Sequence, residues 1–352
     1  MKKTFIGLVL VIAAMCPTLV LAQKGGFAET AQRQGPQNPR LGFILHGGAG
    51  TITKDSMTPE KEKEFRDALT AAVTAGYKAL QEGKSSLDAI EVAIRLMEDS
   101  PLFNAGKGAV FTNDGKNELD ASIMFGKTLA AGSVAGLHKV KNPITLARAV
   151  MEKSPHVMMV GAGAEKFALT QKIELVDEKY FWTQGRWDSL QQVLKEEKEK
   201  EKKPGTVSLA SQEPQNRFGT VGAVALDKNG DIAAGTSTGG MTNKRFGRVG
   251  DAPIIGAGTY ANNDTCGVSA TGWGEYFIRI GVARDIAAQM EYRGLPIQQA
   301  ADIVMNKVAK LGGDGGVVAM DKFGNMAISF NSEGMYRAYI DINGKPVVEI
   351  YK

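Results

Sequence analysis

The sequence predicts an α+β protein built from layered, mainly antiparallel sheets, and three observations carry that prediction. Two stretches, "TVGAVALDKNGDIAAGTS" from Thr220 and "GGVVAMDKFGNMAISF" from Gly315, each set a polar Asp-x-x-Gly turn between two apolar runs, the mark of a β-hairpin. Helical periodicity comes in blocks that follow one another directly, as in "EFRDALTAAVTAGYKALQ" and then "SSLDAIEVAIRLMED". Strands, then helices, then strands again leave few β-α-β alternations, which argues against a parallel doubly wound sheet. The two hairpins read either as neighbours in one sheet or as an internal repeat.

Taken in order, the chain opens "MKKTFIGLVLVIAAMCPTLVLAQ". Lys2 and Lys3 precede an apolar stretch, and Val20 and Ala22 fit a small-residue cleavage site, so 1–22 reads as a secretory signal peptide. The apolar run is short for a membrane span. Residues 23–40, rich in Gly, Gln and Pro, read as a disordered leader. "LGFILHGG" is expected to be a buried strand entering a glycine turn. In the next segment Thr58 N-caps a helix, Pro59 takes its first position and Gly83 closes it. Ser85 and Asp88 form a capping box for a second helix, whose Ile90, Ala93, Ile94 and Met97 share one face. "LDASIMFG", "GSVAGLH" and "HVMMVG" are strands, with a helix opened by Asn142-Pro143. "WDSLQQVLKEEKEKEKKPG" starts amphipathic and ends as a charge run; with "TVSLASQEPQNRFG" it is expected to form a mobile linker, about residues 185–219. "GWGEYFIRIGVARDIAAQMEYRG" and "PIQQAADIVMNKVAKL" are two helices between the hairpins.

The 352 residues are 43% hydrophobic and 23% charged, an ordinary globular balance. A formal charge of +4 is too mild to point to nucleic acid or an anionic membrane as partner. Beyond the signal one cysteine remains, Cys266, so no internal disulfide is expected despite export.

"GTSTGG" places Ser237 in a G-x-S-x-G pattern, as in the nucleophile elbow of esterases. That chemistry needs a histidine after the serine, and His46, His138 and His156 all precede it. There is no H-E-x-x-H, cysteine pair or histidine cluster for a catalytic metal, and His46 among glycines reads as structural. "VGAGAEKF" is only a fragment of a dinucleotide fingerprint. A hydrolase without these can make its own base by cutting its chain before a threonine. The freed α-amine, with a pKa of about 7.7–8.0, then deprotonates the hydroxyl of the same residue. "QNRFGTVGAVALD" supplies linker, Gly219, Thr220 and strand in the order this needs.

The stretch "GTVGAVALDKNGDIAAGTSTGGMTNKRFGRVGDAPIIGAGTYANN", with "HGGAG", "PLFNAGKGAVFTNDGKNELDASIM" and "LGGDGGVVAMDKFGNMAISFNSEGMYRA", closely resembles the threonine-dependent isoaspartyl peptidase/L-asparaginase family of N-terminal-nucleophile hydrolases. The resemblance covers nearly all of the chain after the signal. It implies a four-layer αββα sandwich cut into an α subunit, 41–219, and a β subunit, 220–352, which pair as αβ and again as (αβ)2. It implies that Thr220 is the nucleophile, exposed by cleavage after Gly219, and that Thr238 tunes it. Thr271 and Gly272 match the oxyanion hole, and Gly274 lines the pocket. Arg248 is expected to bind the substrate α-carboxylate, Asp251 its α-ammonium, and Asn104 to lie near the nucleophile.

No catalytic cofactor is implied, but a structural sodium on the backbone carbonyls of Met97, Glu98, Ser100, Phe103, Ala105 and Lys107 is. The implied substrates are L-asparagine and β-aspartyl dipeptides, hydrolysed through a β-aspartyl ester, with a periplasmic or secreted location. Glycosylasparaginases usually lack "GGMTNK", which places this chain nearer the isoaspartyl branch. "TGWGE" departs from the small polar residue common in the family: Trp273 either narrows the pocket or faces outward. A glycosylasparaginase-like amidase, a Ser237 esterase and a non-cleaving periplasmic amino-acid-binding protein are the rival readings.

Overall fold

The computed structural model describes residues 33–201 and 219–352. The expected signal peptide, the first part of the leader and linker residues 202–218 lie outside the described residues. The strands are β1 (Arg33–Gln34), β2 (Gly42–Gly50), β3 (Leu119–Phe125), β4 (Ala130–Leu137), β5 (Met158–Val160), β6 (Val221–Leu226), β7 (Ile232–Thr238), β8 (Thr259–Ala261), β9 (Cys266–Gly272), β10 (Gly315–Asp321), β11 (Asn325–Phe330), β12 (Gly334–Ile340) and β13 (Pro346–Tyr351). The α-helices are α1 (Pro59–Gln81), α2 (Ser86–Glu98), α3 (Pro143–Lys153), α4 (Gly161–Thr170), α5 (Gln184–Glu201), α6 (Gly274–Ile280), α7 (Val282–Arg293) and α8 (Ile297–Lys310).

Among the described residues these strands make two sheets, ordered β13-β12-β2-β6-β7-β3-β4-β5 and β1-β11-β10-β9-β8. All neighbours are antiparallel except β4 and β5. Helices α1–α3 cover the outer face of the larger sheet, and α7 and α8 that of the smaller. The four αββα layers explain why the central strands are apolar on both faces. Phe43 and Leu45 of β2 pack under α1 and α2, while Ile44 between them points at the second sheet. Val221, Ala223 and Ala225 of β6 alternate in the same way with Val224 and Leu226. Each large side chain so buried contributes about 1.5–3 kcal/mol. Gly76 lets α1 lie flat on Phe43, because a Cβ there would meet the ring.

Local signals placed the helices well. Thr58 Oγ1 accepts from the Lys61 N–H at 3.2 Å, and Ser85 and Asp88 form the expected reciprocal pair at 3.2 and 3.1 Å. Such caps contribute about 1 kcal/mol each. The hairpin turns also follow from sequence. Asp227 Oδ1 accepts from the N–H groups of Asn229 and Asp231, and Asp321 Oδ1 from those of Phe323 and Asn325.

Four expectations change. The two hairpins lie in different sheets, facing one another, rather than side by side. Part of the leader is ordered, since β1 pairs with β11. The first part of the linker is helix α5, anchored by buried Leu190 and Val193. The single helix expected over 272–294 breaks at Gly281, whose φ of 67° ends α6 and starts α7.

Candidate active site

The C-terminal ends of β2, β7 and β9 and the start of β6 meet at one end of the sandwich. His46 pairs with Gly222 in register and Val221 with Ser237, which brings Thr220, just before β6, beside Thr238 at the end of β7. Thr220 is buried, 6% exposed, and directly follows Gly219. Its hydroxyl donates to Thr238 Oγ1 at 3.2 Å. The Thr238 hydroxyl in turn donates to the Gly219 carbonyl at 3.0 Å, while its oxygen accepts from the Gly240 N–H at 2.9 Å. Asn104 Nδ2 donates to the same Gly219 carbonyl at 2.8 Å and to that of Gly240 at 2.7 Å. The Asn104 amide is itself fixed, since its Oδ1 accepts from the Val110 N–H at 2.9 Å. Two donors therefore converge on one carbonyl oxygen, beside a hydroxyl already hydrogen-bonded to one of them. This arrangement can polarise the Gly219–Thr220 peptide and stabilise negative charge on its oxygen.

His46 is fully buried, and burial pushes its imidazole down to about 3. The neutral ring donates from Nδ1 to the Thr220 carbonyl at 2.9 Å and accepts at Nε2 from Ser269 Oγ at 2.9 Å. It holds the backbone of Thr220 and does not contact the Thr220 hydroxyl, in line with its structural reading. Gly222 makes room, since a Cβ there would overlap Ser269 Oγ. Gly48 of "HGGAG", with φ +115°, leans on the same residues: a Cβ would stand 3.1 Å from Gly219 Cα and 3.4 Å from Thr220 N. The next residue, Ala49, donates its N–H to Thr271 Oγ1 at 3.3 Å. That bond occupies the oxygen of Thr271 and leaves its proton free to point elsewhere. Gly272 has φ +150°, and a Cβ would strike Asp314 O.

Arg248, Asp251 and Gly274 are brought together, as expected. A Cβ on Gly274 would lie 2.9 Å from both Arg248 Nη2 and Asp251 Oδ1. Asp251 is buried, its Oδ2 has no hydrogen-bond partner among the described residues, and burial pushes its carboxyl up to about 7. Sequence reasoning missed Glu275. Its carboxylate takes one edge of the Arg248 fork, from Nε at 2.9 Å and Nη2 at 2.8 Å. It also accepts from the Trp273 side chain, whose ring packs edge-on against Tyr276 at 5.1 Å. The glutamate's place two residues after the pocket tryptophan was the only signal available.

Ser237 is fully buried and donates to Glu98 Oε1 at 2.6 Å, a carboxyl that burial pushes up to about 8. No histidine contacts it among the described residues. Ser237→Ala is expected to mature normally and keep most activity, with a stability loss of about 1 kcal/mol from one buried hydrogen bond. Turnover by the purified variant, beside its thermal midpoint, checks this; a folded, mature but inactive protein would reinstate the serine. Of the residues assigned to sodium, Met97 and Glu98 end α2 and Ala105 caps a short turn containing Lys107. The carbonyls of Glu98 and Phe103 face the space beside Gly106 and Gly108. Those of Met97 and Ala105 accept from the N–H groups of Ser100 and Gly108. Carbonyl oxygens are hard donors of the kind a monovalent cation takes, but two of these six already accept from backbone N–H groups.

Comparison with known proteins assigns the chain to a family. The sequence profile of the family described as Asparaginase (Asparaginase_2) matches residues 39–350. The isoaspartyl peptidase of Escherichia coli K12 is 50% identical over 314 residues, covering 88% of this chain and 96% of that protein. The isoaspartyl peptidase of Salmonella typhimurium is 50% identical over 315 residues, 88% and 98% of the two chains. The plant-type L-asparaginase of Pyrococcus abyssi is 45% identical over 303 residues, 85% and 96% of the two chains. The buried threonine behind a glycine, the layered fold and a match across almost the whole described chain together place this protein in the asparaginase family of N-terminal-nucleophile hydrolases.

Proposed function

We propose that this chain is a self-cleaving amidohydrolase acting on L-asparagine and on β-aspartyl peptides, with Thr220 as nucleophile. The observation that carries this is the Gly219 carbonyl, held by Asn104 and Thr238 while the Thr220 hydroxyl rests on Thr238. In maturation Thr220 Oγ1 attacks the Gly219 carbonyl carbon, passing its proton to Thr238 as Thr238 protonates the carbonyl oxygen. Collapse breaks the C–N bond, the nitrogen takes up a proton, and an ester links Gly219 to Thr220. Water then hydrolyses the ester, leaving a Gly219 carboxylate and a free Thr220 amine and hydroxyl.

The new α-amine serves as base in turnover. Oγ1 attacks the side-chain carbonyl carbon of the substrate. The Thr271 hydroxyl and the Gly272 N–H stabilise the oxyanion, a contribution of about 10²–10³ in rate per donor. The α-ammonium carries its proton to the leaving nitrogen, so ammonia or the shortened peptide departs, and water frees aspartate from the ester. Arg248 and Asp251 hold the α-carboxylate and α-ammonium. In the same reading residues 1–22 are removed on export, the cut units pair as (αβ)2, and sodium on loop 97–107 stiffens the approach to Asn104. No helix among the described residues is long and apolar enough to cross a membrane.

Purified protein is expected to give two bands on a denaturing gel, and to release aspartate from both L-asparagine and β-Asp-Leu. One full-length band with no turnover of either would favour the amino-acid-binding protein.

A further inference from the structure

A cavity of about 440 Å³ is lined by Gly219 but not by Arg248 or Asp251. Its inner end is Gly48, Asn104 and Gly219, the groups around the scissile bond. One flank is apolar, with Phe65 and Tyr336 stacked at 4.2 Å and Leu102 beside them. The other carries Arg186, from the first turn of α5. Arg186 donates Nε to the Gly108 carbonyl at 2.8 Å and Nη2 to that of Leu102 at 3.4 Å, and forms no ion pair among the described residues. Lys61 also lines the cavity, paired at the surface with Glu64 at 2.9 Å. An arginine steadied by neutral carbonyls, facing a cavity without carboxylates in its lining, is a receptor for an anion.

The position of this cavity says which anion. The Thr220 nitrogen, bonded to Gly219 before maturation, becomes the amine that must protonate the leaving nitrogen, so the two must come within hydrogen-bond reach. The leaving group therefore lies on the side of Thr220 where Gly219 now stands, and that side opens into this cavity. Resting on the function proposed above, we infer that the cavity is the leaving-group site for β-aspartyl dipeptides with a free carboxylate. Arg186 binds the carboxylate of the second residue, and the Phe65–Tyr336–Leu102 flank takes an apolar side chain. L-Asparagine, which releases ammonia, makes no use of it.

The test compares β-Asp-Leu, β-Asp-leucinamide and L-asparagine on the matured enzyme. Arg186→Gln is expected to raise KM for β-Asp-Leu about ten- to hundredfold, as loss of a charge-assisted hydrogen bond does. The amide and asparagine are expected to change less than about twofold, and Arg186→Lys to recover part of the loss. Equal loss on all three substrates would assign the arginine to packing or to the enzyme's own Gly219 carboxylate, and would overturn the inference; so would no change on β-Asp-Leu. If Arg186→Gln fails to mature, wild type decides: it should favour β-Asp-Leu over the amide, and equal kcat/KM for the two overturns the site. A wild type that hydrolyses asparagine but neither dipeptide removes the peptide activity itself, and the cavity's role with it.

Discussion

Thr220→Ala will leave one uncut chain with no measurable hydrolysis of asparagine or of β-Asp-Leu. The alanine removes the hydroxyl that Thr238 holds beside the Gly219 carbonyl, and with it the proposed nucleophile of turnover. Thr220→Ser keeps that oxygen and is expected to be cut, more slowly. The donors on Gly219 O give a graded series. Asn104→Ala removes one of two bonds to the developing oxyanion, and maturation should slow by about 10²–10³. Gel densitometry over hours and N-terminal sequencing of the small fragment measure both effects. A wild-type fragment beginning anywhere but Thr220 would refute the assignment, as would an alanine variant that still cleaves.

Arg248→Lys carries the second large effect. Glu275 holds one edge of the guanidinium through Nε and Nη2, which leaves the Nη1 end of the fork for a substrate carboxylate. Lysine cannot satisfy both partners at once, since it offers a point charge in place of a planar fork. The expected loss in kcat/KM on L-asparagine is about ten- to hundredfold, from a charge-assisted bond of about 1.5–3 kcal/mol. On α-amidated asparagine, already poor for wild type, variant and wild type should nearly coincide. Equal impairment on acid and amide would show that Arg248 does not read the carboxylate. The neighbouring Asp251 adds a pH signature. Its carboxyl is pushed up to about 7 by burial, so the ionised form that pairs with an α-ammonium grows as pH rises through that value. The acidic limb of kcat/KM near pH 7 should therefore be steeper for asparagine than for N-acetyl-asparagine, which lacks the ammonium.

Much of this protein was legible in its sequence because much of it is local. The caps at Thr58 and Ser85 and the Asp227 and Asp321 turns depend on residues within four positions of each other. The Gly219-Thr220 pair stood out as a candidate too, because the proposed self-cleavage needs a glycine, a threonine and a strand in immediate succession, and the structure sets Thr220 just before β6. Ser237 shows the converse. Its G-x-S-x-G spelling is local, yet the strand pairing buries it against Glu98, with no histidine in contact among the described residues.

What tertiary structure alone decided lies in contacts between distant segments. Glu98 and Ser237, 139 residues apart, meet only because α2 packs on β7. Asn104 reaches the Gly219 carbonyl across 115 residues, and His46 reaches Thr220 across 174. The sequence by itself determined the caps and turns, that the sheets are layered, and the Gly219-Thr220 pair on which the proposed function turns. The fold decided that the two hairpins face each other, that Glu275 grips Arg248 and that Arg186 looks into the cavity lined by Gly219. Backbone turns and caps are set by near neighbours, whereas the partner of a side chain is set by which strands and helices pack together, and that packing minimises the exposed apolar surface of the whole chain.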